Sequence, residues 1–164
     1  MSRYFYFGPT LRCDKLQPEY EHSGQGWQVM IIGIGNDLVE IKRIERALDR
    51  HGKRFEDRCF TLFEQSKAGR RRASGLHVHV YAKRFAAKEA CVKALGTGFT
   101  EDIFFKDIGV EEDGAGRPLL KLTGGAQKRL QELTPEGMEP VLHLSLSDDS
   151  SLAQAFVVIE ARFR

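Results

Sequence analysis

Apolar and polar positions follow two alternating periods along the chain, and the changes of period outline the elements. Met30–Gly35, MIIGIG, is an Ile-rich run of the length of a buried strand. Its Gly33 and Gly35 mark places where a backbone or a ligand comes close. LVEIKRIERALDRHG then repeats apolar residues at Ile41, Ile44, Ala47 and Leu48, which predicts a helix from near Leu38 to a stop at Gly52. In this reading Asp37 caps that helix. Thr61 and Glu64 have the spacing of a reciprocal cap and open a second short helix. The segment 68–75, with Arg70, Arg71 and Arg72, reads as a mobile loop. The longest helical pattern is Tyr81–Phe99, YAKRFAAKEACVKALGTGF, rich in alanine and free of Gly and Pro until Gly96.

Beyond that helix the pattern becomes that of strands. Residues 104–112 alternate, residues 113–116 supply a turn, and 117–122 return as a hairpin partner. Gly124–Leu133 reads as a short amphipathic helix. Val141–Ser147 sets Leu142, Leu144 and Leu146 against Val141, His143 and Ser145, a half-buried strand, and 153–161 closes the chain as another. Residues 1–29 follow neither period, although they hold six of the sixteen aromatic residues, and read as an upstream extension. The domain is therefore expected over 30–164, one core and no internal repeat.

Charge changes this picture more than composition does. The net charge is only +2, yet Lys42 to Lys93 holds 15 Lys and Arg against 6 Asp and Glu, while 101–164 holds 7 against 12. A basic first half suits an acidic partner or a phosphorylated ligand, with a solvated basic face as the plainer alternative. Three cysteines, Cys13, Cys59 and Cys91, lack disulfide or metal spacing, which fits a reducing cytoplasm. No apolar run approaches the roughly 20 residues of a membrane helix.

Candidate chemistry gathers on the long helix. Glu89 and Lys93 stand i,i+4, a spacing that usually decorates a solvated face. Lys83, Arg84, Lys88 and Lys93 around this one acid suit a polyanion better than an internal salt bridge. Gly96-Thr97-Gly98 ends the helix and leaves its backbone bare to a ligand. Asp37 and Glu89 come from different elements, and two such carboxylates commonly hold Mg²⁺ with waters and phosphate oxygens.

MIIGIGNDLVEIKRIE followed by YAKRFAAKEACVKALGTGF resembles the holo-acyl-carrier-protein synthase family, small 4′-phosphopantetheinyl transferases of bacterial fatty-acid synthesis. The likeness runs from Met30 to the end, including the closing VLHLSLSDD. It implies an α+β fold, with a long central helix packed on a small antiparallel sheet, and a homotrimer with active sites between subunits. It implies transfer of phosphopantetheine from coenzyme A to a serine of apo acyl carrier protein, releasing adenosine 3′,5′-bisphosphate. By the same likeness, Asp37 and Glu89 fall on the family's Mg²⁺ ligands, and Lys93 on the lysine facing the diphosphate. Gly96, Thr97 and Gly98 fall on the coenzyme A loop; Arg84 and His143 are expected to line the same pocket. In SLSDD the chain departs from the His or Thr of many members. The serine base is read as a metal-associated water held by Asp37 or Glu89, and Arg43, Arg46 and Arg50 as a docking face for the acidic carrier. His143 has a buried strand histidine as its competing reading.

Two other classes are weighed. A nucleic-acid-binding module would use the basic block, but the chain lacks a stacking motif or a helix-turn-helix pattern, and its second half is acidic. A non-catalytic trimeric scaffold would have no need of Asp37, Glu89 and Lys93 together.

Overall fold

A computed structural model describes residues 29–100 and 102–163. The predicted extension, apart from Val29, lies outside these residues, as does Cys13. In chain order the elements are β1 (Val29–Glu40), α1 (Ile41–His51), α2 (Lys53–Cys59), α3 (Leu62–Gly69) and α4 (His77–Ala94). A 3₁₀ turn (Phe105–Asp107), β2 (Ile108–Glu112), β3 (Pro118–Leu122), α5 (Gly124–Leu133), β4 (Met138–Asp149) and β5 (Leu152–Phe163) follow. The architecture is α+β. β1, β5 and β4 form an antiparallel sheet in that order, and β2 pairs with β3 in a separate hairpin.

Helix α4 lies along the three-stranded sheet, and small residues bring it close. Ala82, Ala86, Ala90 and Ala94 form one buried row at i,i+4 spacing. A Cβ at Gly33 would stand 2.3 Å from the Ala94 carbonyl oxygen, and one at Gly35 would stand 1.9 Å from that of Ala90. The close approach expected at these two glycines is therefore to the backbone of α4. On β5 the inward side is Ala153, Ala155, Val157, Ile159 and Ala161, all buried. Three alanines on a central strand leave room for a helix, while Val157 and Ile159 each contribute about 1.5–3 kcal/mol of apolar burial.

Some boundaries differ from the sequence reading. β1 continues through Asn36 and Asp37 to Glu40, because β5 pairs with every one of these residues. Asp37 is thus a strand residue and α1 starts at Ile41, capped by no side chain. Gly52 ends α1 with φ 49°, as expected of its stop. Helix α4 begins four residues early, at His77, because Val78 and Val80 already belong to the core. The expected loop at 68–75 is partly helical, since α3 runs to Gly69 before a turn. The Thr61–Glu64 capping box forms as read. The helix over Gly124–Leu133 has the expected bounds.

The cation cluster on α4 divides. Lys88 and Glu64 are both fully buried and pair at 2.9 Å. Lys88 Nζ also donates to the carbonyls of Phe105 and Ile108, and Glu64 accepts from the backbone N–H of Thr61 and Val110. The ammonium thus spends all three protons inside the protein, and an internal salt bridge takes the place of the polyanion contact expected of Lys88. Burial pulls the Lys88 ammonium below the usual lysine range, and Glu64 works against that shift.

Candidate functional site

The close contact of β1 with α4 sets the geometry of the acids. Side chains alternate along a strand, so Asp37 points to the same side as Gly35, toward the helix. Lys93 Nζ donates to Asp37 Oδ1 at 2.7 Å and to the Asn36 carbonyl at 2.9 Å. Glu89 stands one helical turn before Lys93 on the same face. Burial raises the Glu89 carboxyl above the usual range, and the charge of Asp37 raises it further, while Lys93 and Arg43 oppose the shift. The two acids are therefore within electrostatic reach of each other, and the Lys93 ammonium bonds to Asp37.

Residues 96–98 continue from this point. Gly96 and Gly98 have φ 72° and 67°, the left-handed region that glycine enters without strain. The N–H of Gly96 returns to the Lys93 carbonyl, and those of Thr97 and Gly98 to that of Val92. A Cβ at either glycine would meet nothing within 4 Å, so the loop faces open space. Thr97 Oγ1 donates to the Gly98 carbonyl at 3.0 Å.

The structure puts the other two expected site residues elsewhere. Arg84 is buried; its guanidinium donates to the Val80 carbonyl and, at 3.3 Å, to Glu112. Its Nε is buried without a partner. It lines a cleft of about 420 Å³ with Lys67, Arg71, His79, Lys83 and Asp148. This cleft opens at the β4 side of α4, whereas Asp37 sits at the β1 side. His143 is paired across β5 with Val158, on the sheet face turned away from α4. It is about half exposed and lies 3.1 Å from Glu160, so neither the pocket of Asp37 nor a buried position describes it within one chain.

The cleft is the part that sequence reasoning missed. Its floor is Asp148, which accepts from Lys83 at 2.7 Å and meets His79 Nδ1 at 2.9 Å. Partial burial tends to raise the Asp148 carboxyl, yet the bonds from Lys83 and His79 hold it below the usual range. Asp148 is the first aspartate of SLSDD, and that acidic pair was the signal available.

Two carboxylates and an ammonium thus stand beside a glycine turn whose own N–H groups are bonded back to the end of α4. Among the described residues no group of three or more His, Cys, Asp or Glu gathers. The donors at the β1–α4 contact are thus two hard oxygens with an incomplete shell. That set suits Mg²⁺, which takes its other ligands from water and phosphate, and does not suit a structural zinc.

Comparisons with known proteins point the same way. The family model of the 4′-phosphopantetheinyl transferase superfamily matches residues 33–153. A holo-[acyl-carrier-protein] synthase of Brucella ovis is 54% identical over 132 residues, covering 80% of this chain and 96% of the relative. The crystal structure of a holo-[acyl-carrier-protein] synthase from Neisseria meningitidis superposes with TM-score 0.68 at 38% identity, over 79% of this chain and 98% of the other. A Bacillus anthracis synthase in complex with coenzyme A (3′,5′-ADP) gives TM-score 0.60 at 36% identity, over 80% and 97%.

Proposed function

The chain belongs to the 4′-phosphopantetheinyl transferase superfamily, and from that premise we propose how its side chains carry out the reaction. It transfers phosphopantetheine from coenzyme A to a serine of apo acyl carrier protein, giving holo carrier protein and adenosine 3′,5′-bisphosphate. The serine Oγ forms a new P–O bond, and the bond to the nucleotide's 5′-phosphate breaks. The observation that carries this reading is the Lys93–Asp37 bond where β1 crosses α4, one helical turn from Glu89.

Asp37 and Glu89 would hold Mg²⁺, which when bound neutralises charge on the diphosphate. Lys93 is held by Asp37 and the Asn36 carbonyl, with its third proton free for a phosphate oxygen. The Gly96–Gly98 backbone lies open beside it for the same phosphates. A carboxylate oxygen of Asp37 or Glu89 takes the serine proton through a water it orients.

The active unit is a homotrimer with the site shared between subunits. Two features support this. The sheet face turned from α4 exposes Ile31, Ile34, Leu38, Leu152 and Phe156, the first three at 57% each. An apolar face of that kind is covered in a stable protein. The acids and the cationic cleft also lie on opposite flanks of α4, so a head-to-tail ring sets the acids of one protomer against the cleft of the next. In that ring Lys67 and Lys83 face the neighbour's coenzyme A, with buried Arg84 behind them. The exposed Arg43, Arg46 and Arg50 of α1 dock the acidic carrier, in the cytoplasm.

Release of adenosine 3′,5′-bisphosphate, followed by chromatography against Mg²⁺ concentration, tests the reading. Turnover should vanish with a chelator and return with Mg²⁺. Full turnover without a divalent ion would contradict the metal assignment.

A further inference from the structure

The Gly96–Gly98 loop is bonded back to α4 through its own N–H groups, and neighbours hold the chain on both sides of it. Where α4 ends, Arg129 Nε of α5 donates to the Leu95 carbonyl at 3.1 Å. That carbonyl belongs to the last turn of the helix, whose acceptors have no intrahelical donor. Beyond the loop, the ring of Phe99 stacks on Phe105 with centroids 3.8 Å apart and planes 19° apart. Phe105 is held in turn: its ring stacks on Phe85 at 5.2 Å, and its carbonyl accepts from buried Lys88 at 3.0 Å. α5 has no slack either, because a Cβ at Gly125 would lie 1.7 Å from the Asp102 carbonyl oxygen.

We propose that Phe99 and Arg129 are positioning residues that clamp the Gly96–Gly98 loop in the shape that receives the coenzyme A phosphates. The inference rests on the reading of that loop given above. A glycine loop is costly to order, since glycine loses more backbone freedom than any other residue. Anchors at both ends supply that order before the ligand arrives, and preordering improves affinity. The aromatic stack and the arginine cap thus act on nucleotide binding, through the loop backbone, without touching the reacting atoms.

The test is calorimetric binding of adenosine 3′,5′-bisphosphate, with steady-state kinetics in both substrates. Phe99→Ala and Arg129→Ala should each weaken nucleotide binding and raise KM for coenzyme A by roughly tenfold, the loss of one good stack or charged hydrogen bond. Values of kcat and of KM for the carrier should stay within about twofold, because the reacting groups are untouched. Phe99→Tyr and Arg129→Lys, which keep the ring and the cation, should bind nearly as the parent does. Unchanged binding in both alanine variants overturns the inference, and so does an equal loss in the conservative pair. If Phe99→Ala does not fold, the exposed-side Arg129 pair decides alone. Gly98→Val separates this inference from its premise, since a β-branched residue at φ 67° deforms the loop itself. Weaker binding in Gly98→Val with normal binding in the alanine variants overturns the clamp only. Normal binding in Gly98→Val overturns the loop's role in coenzyme A recognition, and the clamp with it.

Discussion

At Glu89, burial and the charge of Asp37 both disfavour the ionised carboxylate. Lys93 and Arg43 offset only part of this, so the half-buried Glu89 charge remains a net cost to the fold. Glu89→Gln keeps the shape and removes the charge, so the protein without metal should melt higher, by about 2–4 °C for each kcal/mol relieved. Activity in the same variant should fall at least about a hundredfold. Calorimetry beside a turnover assay checks both, and a lower melting temperature would contradict the electrostatic account. Its neighbour Lys88 points about 100° around the helix and has a different fate. Lys88→Met should destabilise by about 3–5 kcal/mol in urea, because Glu64 is left charged and buried. Adding Glu64→Leu should cost less than the two single changes sum to, although Thr61 and Val110 lose their acceptor, and simple additivity would sink the pairing. The sequence made Glu89 and Lys93 legible through their i,i+4 spacing. It made Lys88 and Arg84 look like part of the same cluster, because adjacent letters do not report which side of a helix is covered. That depends on the 3₁₀ turn and β2, which supply carbonyls to Lys88 from far along the chain.

Among the elements, the contact of β1 with α4 positions the chemistry. Gly35 is its tightest point, where the smallest added side chain would overlap the Ala90 carbonyl. Gly35→Ala should cost about 1–3 kcal/mol or more and push the strand off the helix. Because Asp37 is two residues further along that strand, activity should fall more than stability alone predicts, as seen by comparing turnover at a temperature where the variant is still folded. Normal activity in a folded Gly35→Ala would mean that the spacing does not matter. The apolar runs made β1, β4 and β5 readable, and periodicity gave α1 and α5. The extension of β1 through Asn36 and Asp37 was not readable, since these are poor strand formers held in place by pairing with β5. The cleft escaped for a similar reason: its members come from α3, α4, the β2–β3 hairpin and β4, and no local pattern joins them.

For the whole molecule, the uncovered sheet face is what one chain leaves unfinished. Phe156→Glu puts a charge at its centre, 43% exposed in the single chain. On the proposed shared site, sedimentation should show a folded monomer where the parent forms a trimer, and turnover should fall with the assembly. An active monomer would end the shared-site account. The central claim, however, concerns the transfer itself. The most direct measurement is the intact mass of apo acyl carrier protein after incubation with coenzyme A, Mg²⁺ and this protein. The account predicts the gain of one phosphopantetheine, absent when Glu89→Gln replaces the parent or when the carrier's serine is changed to alanine. An unchanged carrier mass in the presence of folded protein would contradict it.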